Sequence, residues 1–576
     1  MSQTISGYHN TIQTLSSGAQ NVTITGTINA YGLGGSYSVH NNGSFTSQTV
    51  YTAVFGPAGT DFSINNTGLI ETNGTNSSNP FDVGILLGSP GNVVNSGSIE
   101  GASGIAIFSN SNTSTATVDN SGLINGSHGV GIYIASAGAV INSGNISGAQ
   151  TGVNLSRTAA SYLSNVSAGT ITAGVNYAVQ LYKGIVINAG LLEGFSGGVQ
   201  INQQGSIFNS GTIEATASVF GTNASYAGLQ IQQGGTVLNS PSGTISGRTG
   251  IHLQGSAPSY IENVGKIIGT KAVGIADDTS LTVKNIGIIS GVYDAISSNN
   301  PGGASTINNY GLLVATGNGV FLAAGGTITN QAAGLIAGGT GIYLSGGIGN
   351  NAVYLDNLGT IIGTALNGVN LETSGKVLNS GQIAGAADGV DILQGGKVVN
   401  AGTITGNDGI AVKFSGTTGT VNQLGVDPGA VFNGVVEVTG GTGVLKLASG
   451  SSAGTISGIG TSFQNFGMID IQTGSSWVIE GSATGLASGQ TIAGFASTDT
   501  IILDGFTATS ESYVSGVGLE LSNGILTETI NILGSYTSAN FSISSDASGT
   551  VIKEVTCYAK GTRIRTADGE IAVEDL

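Results

Sequence analysis

The chain has 576 residues, of which 99 are glycine and only 8% are charged, with a formal net charge of −17. A single cysteine excludes an internal disulfide framework, and thinly spread acid with no basic patch excludes recognition by phosphate neutralisation, so no nucleic-acid partner is expected. Glycine at turns rather than at every third position excludes collagen, while 39% apolar content and a mean hydropathy of +0.25 argue against a flexible low-complexity chain.

The start, Met1-Ser2-Gln3-Thr4-Ile5-Ser6-Gly7, carries neither a basic stretch nor an apolar one, so no N-terminal signal peptide is visible. No run reaches the 18 or so apolar residues of a membrane-spanning helix. Residues 1–60 hold irregular strand signals such as Val22-Thr23-Ile24-Thr25-Gly26-Thr27-Ile28, a coil with its asparagine displaced. This segment is expected to cap the first edge, with the stretch from Tyr31 to Pro57 looping out or covering it.

From 61 to 415 one sentence recurs. Val93-Val94-Asn95-Ser96-Gly97-Ser98-Ile99-Glu100-Gly101-Ala102-Ser103-Gly104-Ile105-Ala106-Ile107 is its clearest copy. Its asparagine returns as Asn66, Asn95, Asn120, Asn142, Asn165, Asn188, Asn209, Asn239, Asn263, Asn285, Asn309, Asn330, Asn357, Asn379 and Asn400, spaced 21 to 30 residues apart. Such a period identifies a solenoid in which each unit buries its apolar face against its neighbours. Alternating apolar positions, as in Gly250-Ile251-His252-Leu253, are strand spacing. The fold class is therefore all-β: a parallel β-helix of about three short strands per coil of 21–24 residues.

The asparagine is expected at one corner of every coil, its amide accepting from one neighbour and donating to the other. The backbone there is expected to turn left-handed, as Asn and Gly tolerate. With coils about 4.8 Å apart, fifteen would span roughly 70 Å. Longer spacings mark extended turns near Glu71–Pro80, Thr216–Ala227 and Ser345–Asn351, the expected flank for a binding face. Tyr51, Tyr133, Tyr177, Tyr182, Tyr226, Tyr293 and Tyr343 could stack on sugars there, although amphipathic packing is the commoner use of a strand tyrosine.

Beyond 416 the asparagine stops and coils lengthen: residues 416–494 read as closing coils, with the single Trp477, and 495–556 as a further β segment. The acidic, lysine-poor repeats and this irregular end resemble secreted bacterial passenger-type β-helices of the adhesin kind.

The last twenty residues, 557–576, change character: Cys557-Tyr558-Ala559-Lys560-Gly561-Thr562-Arg563-Ile564-Arg565-Thr566-Ala567-Asp568-Gly569-Glu570-Ile571-Ala572-Val573-Glu574-Asp575-Leu576. Asp568-Gly569 between Ile564 and Ile571 is a hairpin signal. The segment resembles the first block of a Hint (Hedgehog/intein) autoprocessing domain, which begins with Cys and continues through Gly-Thr, an apolar residue, Thr, Asp-Gly and an apolar-Glu-Asp-Leu strand. Gly561, Thr562, Thr566, Asp568, Gly569 and Glu574 occupy those places. The resemblance implies that Cys557 attacks the carbonyl of Thr556, converting the Thr556–Cys557 peptide into a thioester. It also implies a later block with a histidine; His9, His40, His128 and His252 all lie upstream.

Two functions are weighed. The first is a secreted or surface-exposed bacterial structural or adhesive solenoid with an unknown surface or glycan ligand, processed at its C-terminus and open to end-to-end or lateral self-association. The second is a polysaccharide-active lyase or hydrolase, which needs carboxylates beside a basic residue. For that, Asp277-Asp278 is the one acidic pair singled out, and Arg157, Lys183, Arg248 and Lys266 would have to converge from distant positions. No metal cluster, nucleotide loop or cofactor motif is visible, so no cofactor is expected.

Overall fold

In the apolar-x-apolar strands of each repeat, alternate side chains point to opposite faces. A chain that turns after every such strand therefore encloses one set and exposes the other. The computed structural model describes residues 2–9, 13–14, 21–30, 52–56, 58–59, 61–72, 82–108, 115–217, 226–299, 303–346, 353–555, 563–566 and 569–572. It is a parallel β-solenoid of about 19 turns. The chain divides into two compact units, one running to Ile328 and the other from Ala352, with the residues between shared out between them.

In the first unit each coil holds three strands, and each strand pairs in parallel with its equivalent one coil on. Asn92–Asn95, Ser98–Gly101 and Ser103–Ile107 stack on Ala116–Asn120, Leu123–Gly126 and Val130–Ile134, so that Asn95 meets Asn120, Ile99 meets Ile124 and Ile105 meets Ile132. The second strands build one such column: Ile99, Ile124, Ile146, Ile171, Leu192 and Ile213 follow one another in register, each at most 1% exposed. Removing a side chain this size from water contributes roughly 1.5–3 kcal/mol. With no disulfide to help, these columns and the ladder below hold the stack.

The recurring asparagine does what its spacing predicts. In the first unit, Asn66 Nδ2 donates to Asn95 Oδ1 at 2.8 Å, Asn95 to Asn120 at 2.8 Å, Asn120 to Asn142 at 2.8 Å, and so on to Asn309. In the second unit Asn330, Asn357, Asn379 and Asn400 continue the same pattern among themselves, at 2.8–2.9 Å. All fifteen are at most 1% exposed. The amide also closes its own corner: Asn95 Nδ2 reaches Gly97 O at 3.2 Å and, in the next coil, Leu123 O at 3.1 Å.

The expected left-handed backbone at this corner is not found. Among the described residues the only non-glycine with positive φ is Asn465, at 63°, and the corner glycines Gly68, Gly97 and Gly122 are not left-handed either. Their requirement is steric. A Cβ on Gly97 would lie 2.0 Å from the carbonyl oxygen of Gly68, and one on Gly122 2.0 Å from that of Gly97.

At the N-terminal side, coil register extends to Ser2–Ile5, which pairs with Asn21–Ile24, and that strand with Ser63–Asn66. Ile24 stands where Asn66 stands one coil on, which is the displaced asparagine of the sequence. Residues 31–51 and Pro57, and with them Tyr51, lie outside the described residues, as do most of the three extended turns (73–81, 218–225 and 347–352).

In the second unit the ladder stops because Asn400 meets Val426. Parallel stacking goes on through Thr442–Leu447 and Phe466–Ile471, and Trp477 is buried with its indole nitrogen donating to Ala448 O at 2.9 Å. Pairing then turns antiparallel: Thr500–Asp504 runs against Gly549–Glu554, and Ser510–Val514, Gly518–Ser522 and Thr527–Leu533 form a meander. Change of strand direction is what ends templated growth of a parallel stack.

Candidate functional site

The middle residue of each third strand points outward. In the second unit these residues, in register, are Tyr343, Asn370, Asp391, Lys413, Glu437 and Gln464. The strands hold them rigidly, because the flanking Val390 and Ile392, Val412 and Phe414, and Val436 and Val438 are buried in the core. Neighbours in such a column stand about 4.8 Å apart. Two carboxylates and an ammonium are thus stacked as Asp391, Lys413 and Glu437, and Asp388 joins them from the preceding corner, its backbone N–H bonded to Asn367 Oδ1 at 3.2 Å.

Electrostatics bind these groups into one site. Burial pushes the Asp391 carboxyl up to about 6; the negative charges of Asp388 and Glu437 add to that, and Lys413 opposes it. Asp388 is raised by burial first, with Lys413 pulling the other way and Glu437 and Asp408 adding to the rise. At one end the Tyr343 hydroxyl donates to Glu372 Oε1, and that bond raises the phenol to about 12. Asp391 Oδ1 and Asn370 Oδ1, on adjacent coils, are buried oxygen atoms with no hydrogen-bond partner. The arrangement is rich in acceptors and offers a carboxyl that holds its proton near pH 6, beside a single ammonium.

The acidic pair singled out in the sequence is split by strand alternation. Asp277 faces inward and is 0% exposed, whereas Asp278 faces outward, 3.8 Å from His252 Nε2. Burial holds the His252 imidazole below its ordinary value, and Asp278 works against that. The basic residues named with the pair come from different places in the coil. Lys183 lies in the passage from a third strand to the next first strand, and Lys266 opens a second strand. Arg248 stands at a corner, and the side chain of Arg157 lies outside the described residues.

Among the described residues the tyrosines are dispersed. Tyr133 packs on Phe108 (5.4 Å between ring centres), Tyr226 on Phe195 (6.1 Å), and the Tyr177 hydroxyl bonds Gln230 Oε1 at 2.7 Å. Tyr177 belongs to a feature the sequence reading did not pick out: Gln180, Gln200, Gln230 and Gln254 pass hydrogen bonds along the outer face at 2.9–3.1 Å.

At the C-terminus, Thr556, Cys557, Gly561, Thr562, Asp568 and Glu574 lie outside the described residues, as does the side chain of Thr566. The hairpin itself is present: Arg563–Thr566 pairs antiparallel with Gly569–Ala572, joining Ile564 to Ile571 and Thr566 to Gly569. Gly569, with φ 122°, is the residue paired with Thr566.

No group of three or more metal-binding side chains occurs among the described residues, and none of their helices is long and apolar enough to cross a membrane. No protein-family model, curated protein or solved structure matches the chain.

Proposed function

We propose that the chain is a secreted or surface-exposed bacterial structural or adhesive β-solenoid, joined to the start of a Hint autoprocessing module that cleaves at Thr556–Cys557 when its later blocks are present. The observation that carries this reading is the asparagine ladder. A column of shared buried amides, with no disulfide, stabilises a long weakly charged surface. The sequence resemblance at 557–576 supplies the processing half. The test is immunolabelling of intact source cells with antibodies to the solenoid. Labelling of unpermeabilised cells is expected; antigen found only after lysis would overturn the reading.

A second reading has its own observation, the column of Asp388, Asp391, Lys413 and Glu437. Carboxylates that shift one another beside a lysine are the arrangement acid/base cleavage of a polysaccharide requires, with Asp391 as proton donor. The expected outcome is reducing ends or unsaturated products from a panel of acidic and neutral polysaccharides, lost in Asp391→Asn. Absence of product, or product formation indifferent to that substitution, would remove this reading and leave the first intact.

A further inference from the structure

The last inward column of the third strands in the first unit is apolar with one conspicuous interruption. The column Ile201, Ile231, Leu253 continues as Asp277 and Ser298 before returning to Leu322. Around Asp277 gather Thr279, Ser298, Ser259 and Ser305, and all five side chains are at most 3% exposed.

Hydrogen counting orders this cluster. Thr279 Oγ1 lies 2.6 Å from Asp277 Oδ1 and Ser298 Oγ 3.2 Å from Oδ2. Each hydroxyl owns one hydrogen. Thr279 Oγ1 also donates toward Ser259 Oγ at 3.3 Å, so its one hydrogen is shared between that acceptor and the carboxylate, while Ser305 Oγ donates to Ser298 Oγ at 3.2 Å. Hydroxyls from three successive coils thus converge on Asp277. If Asp277 gains a proton and donates it to Thr279, the Thr279 hydrogen is left to Ser259.

Among the described residues no counter-charge faces the site. Asp278 is outside with His252, and on the first strands packed across the corner, Glu262 and Lys284 face outward and pair with each other at 2.8 Å. A buried carboxylate held only by neutral hydroxyl and backbone N–H donors is less well compensated than one with a cation. Burial accordingly raises Asp277 to about 6 from an ordinary 3.8, the bonds from the Thr279 hydroxyl, the Thr279 backbone N–H and the Ser298 hydroxyl offsetting part of the rise and Asp278 adding to it.

We propose that Asp277 makes a pH-responsive seam in the solenoid: its ionisation loosens the stacking of the coils that carry Leu253, Asp277 and Ser298, and its protonation tightens it. The sign follows from proton linkage. The folded state holds the proton more firmly than the unfolded one, so the contribution to stability is complete below about pH 4 and is lost as pH rises through about 6. The inference is independent of either reading of the function.

The test is amide hydrogen exchange by mass spectrometry on the full chain, corrected for intrinsic exchange rates, at about pH 5 and about pH 7.5. Two carboxyl equilibria at about 3.8 and about 6 make protection of peptides covering 275–299 about tenfold lower at the higher pH. Peptides covering 186–215, from coils that carry no buried carboxylate, serve as the internal standard and stay level. Asp277→Asn is expected to flatten the difference; Asp277→Leu, which restores the apolar column, serves if the first variant folds poorly. A flat wild-type profile, or an equal fall persisting in either variant, would overturn the proposal.

Discussion

Gly97 lies over Gly68 so closely that a Cβ on it would stand 2.0 Å from the carbonyl oxygen beneath. The nearest atoms are all backbone, so no rotamer change can relieve the contact and the two coils would have to separate. Gly97→Ala is therefore expected to destabilise its coils by about 3 kcal/mol or more, at the upper end of overpacking effects. Gly467→Ala is the control: its Cβ would meet only Gly443 O, at 3.9 Å, and a change within about 0.5 kcal/mol is expected. Urea denaturation of the two variants, followed by far-ultraviolet circular dichroism, checks the contrast. Equal effects would remove the steric account of the corner.

The ladder makes a second prediction. Asn188 accepts from Asn165 at 2.9 Å and donates to Asn209 at 2.9 Å, to Gly190 O at 3.1 Å and to Thr212 O at 3.0 Å. Asn188→Ala takes the donor from the buried Asn209 Oδ1, at roughly 1–3 kcal/mol, while Asn165 Nδ2 keeps Gly169 O at 3.0 Å and Leu191 O at 3.2 Å. Asn188→Asp, nearly identical in shape, removes the donors and places a charge among carbonyl oxygens. It should be the more damaging of the two at neutral pH. Since a stack unravels locally before it unfolds as a whole, hydrogen exchange of peptides spanning 160–215 is the measurement. Alanine doing more harm than aspartate would contradict the shared-amide account.

Asp391 carries the third. Its carboxyl is raised to about 6, by burial first and then by Asp388 and Glu437. A raised carboxyl binds its proton more tightly in the folded state, so its stabilising contribution is present below about pH 4 and fades through about pH 6. Asp391→Asn should accordingly raise the midpoint of thermal unfolding at pH 7.5 and change it little at pH 4. Lys413→Met should move the neutral-pH midpoint downward, since it removes the charge that opposes the rise. A neutral-pH midpoint that Asp391→Asn lowers would contradict this electrostatic picture of the column.

Processing at the C-terminus is the fourth. In a chain extended through the later Hint blocks, cleavage between Thr556 and Cys557 is expected, with a thioester that hydroxylamine intercepts. Cys557→Ala should leave the chain whole by mass spectrometry. Cleavage at the same bond in that variant would exclude the thiol as nucleophile.

Much of the architecture was legible because the asparagine does one job at every coil, so its spacing reports the coil itself. The corner conformation was misread for a physical reason: glycine answers both a left-handed backbone and a close backbone approach, and sequence does not say which. Asp277 and Asp278 read as one acidic pair because adjacency in sequence was taken for adjacency in space, whereas strand alternation sends them to opposite faces. The signal for the charged column was available in Val390-Asp391-Ile392, Val412-Lys413-Phe414 and Val436-Glu437-Val438, the same middle place in successive third strands. Aligning those triplets coil by coil would have stacked the charges; the sequence reading instead followed the asparagine, which ends at Asn400.

The central claim is that the asparagine amides are buried and shared along the stack. Side-chain carboxamide hydrogen exchange, followed by nuclear magnetic resonance on a chain labelled with nitrogen-15 only at asparagine, addresses it most directly. The account predicts a distinct set of carboxamide protons, assignable to positions such as Asn120, Asn188 and Asn379, that exchange as slowly as the amides of the core strands. Carboxamides that all exchange at the rate of free asparagine would contradict it.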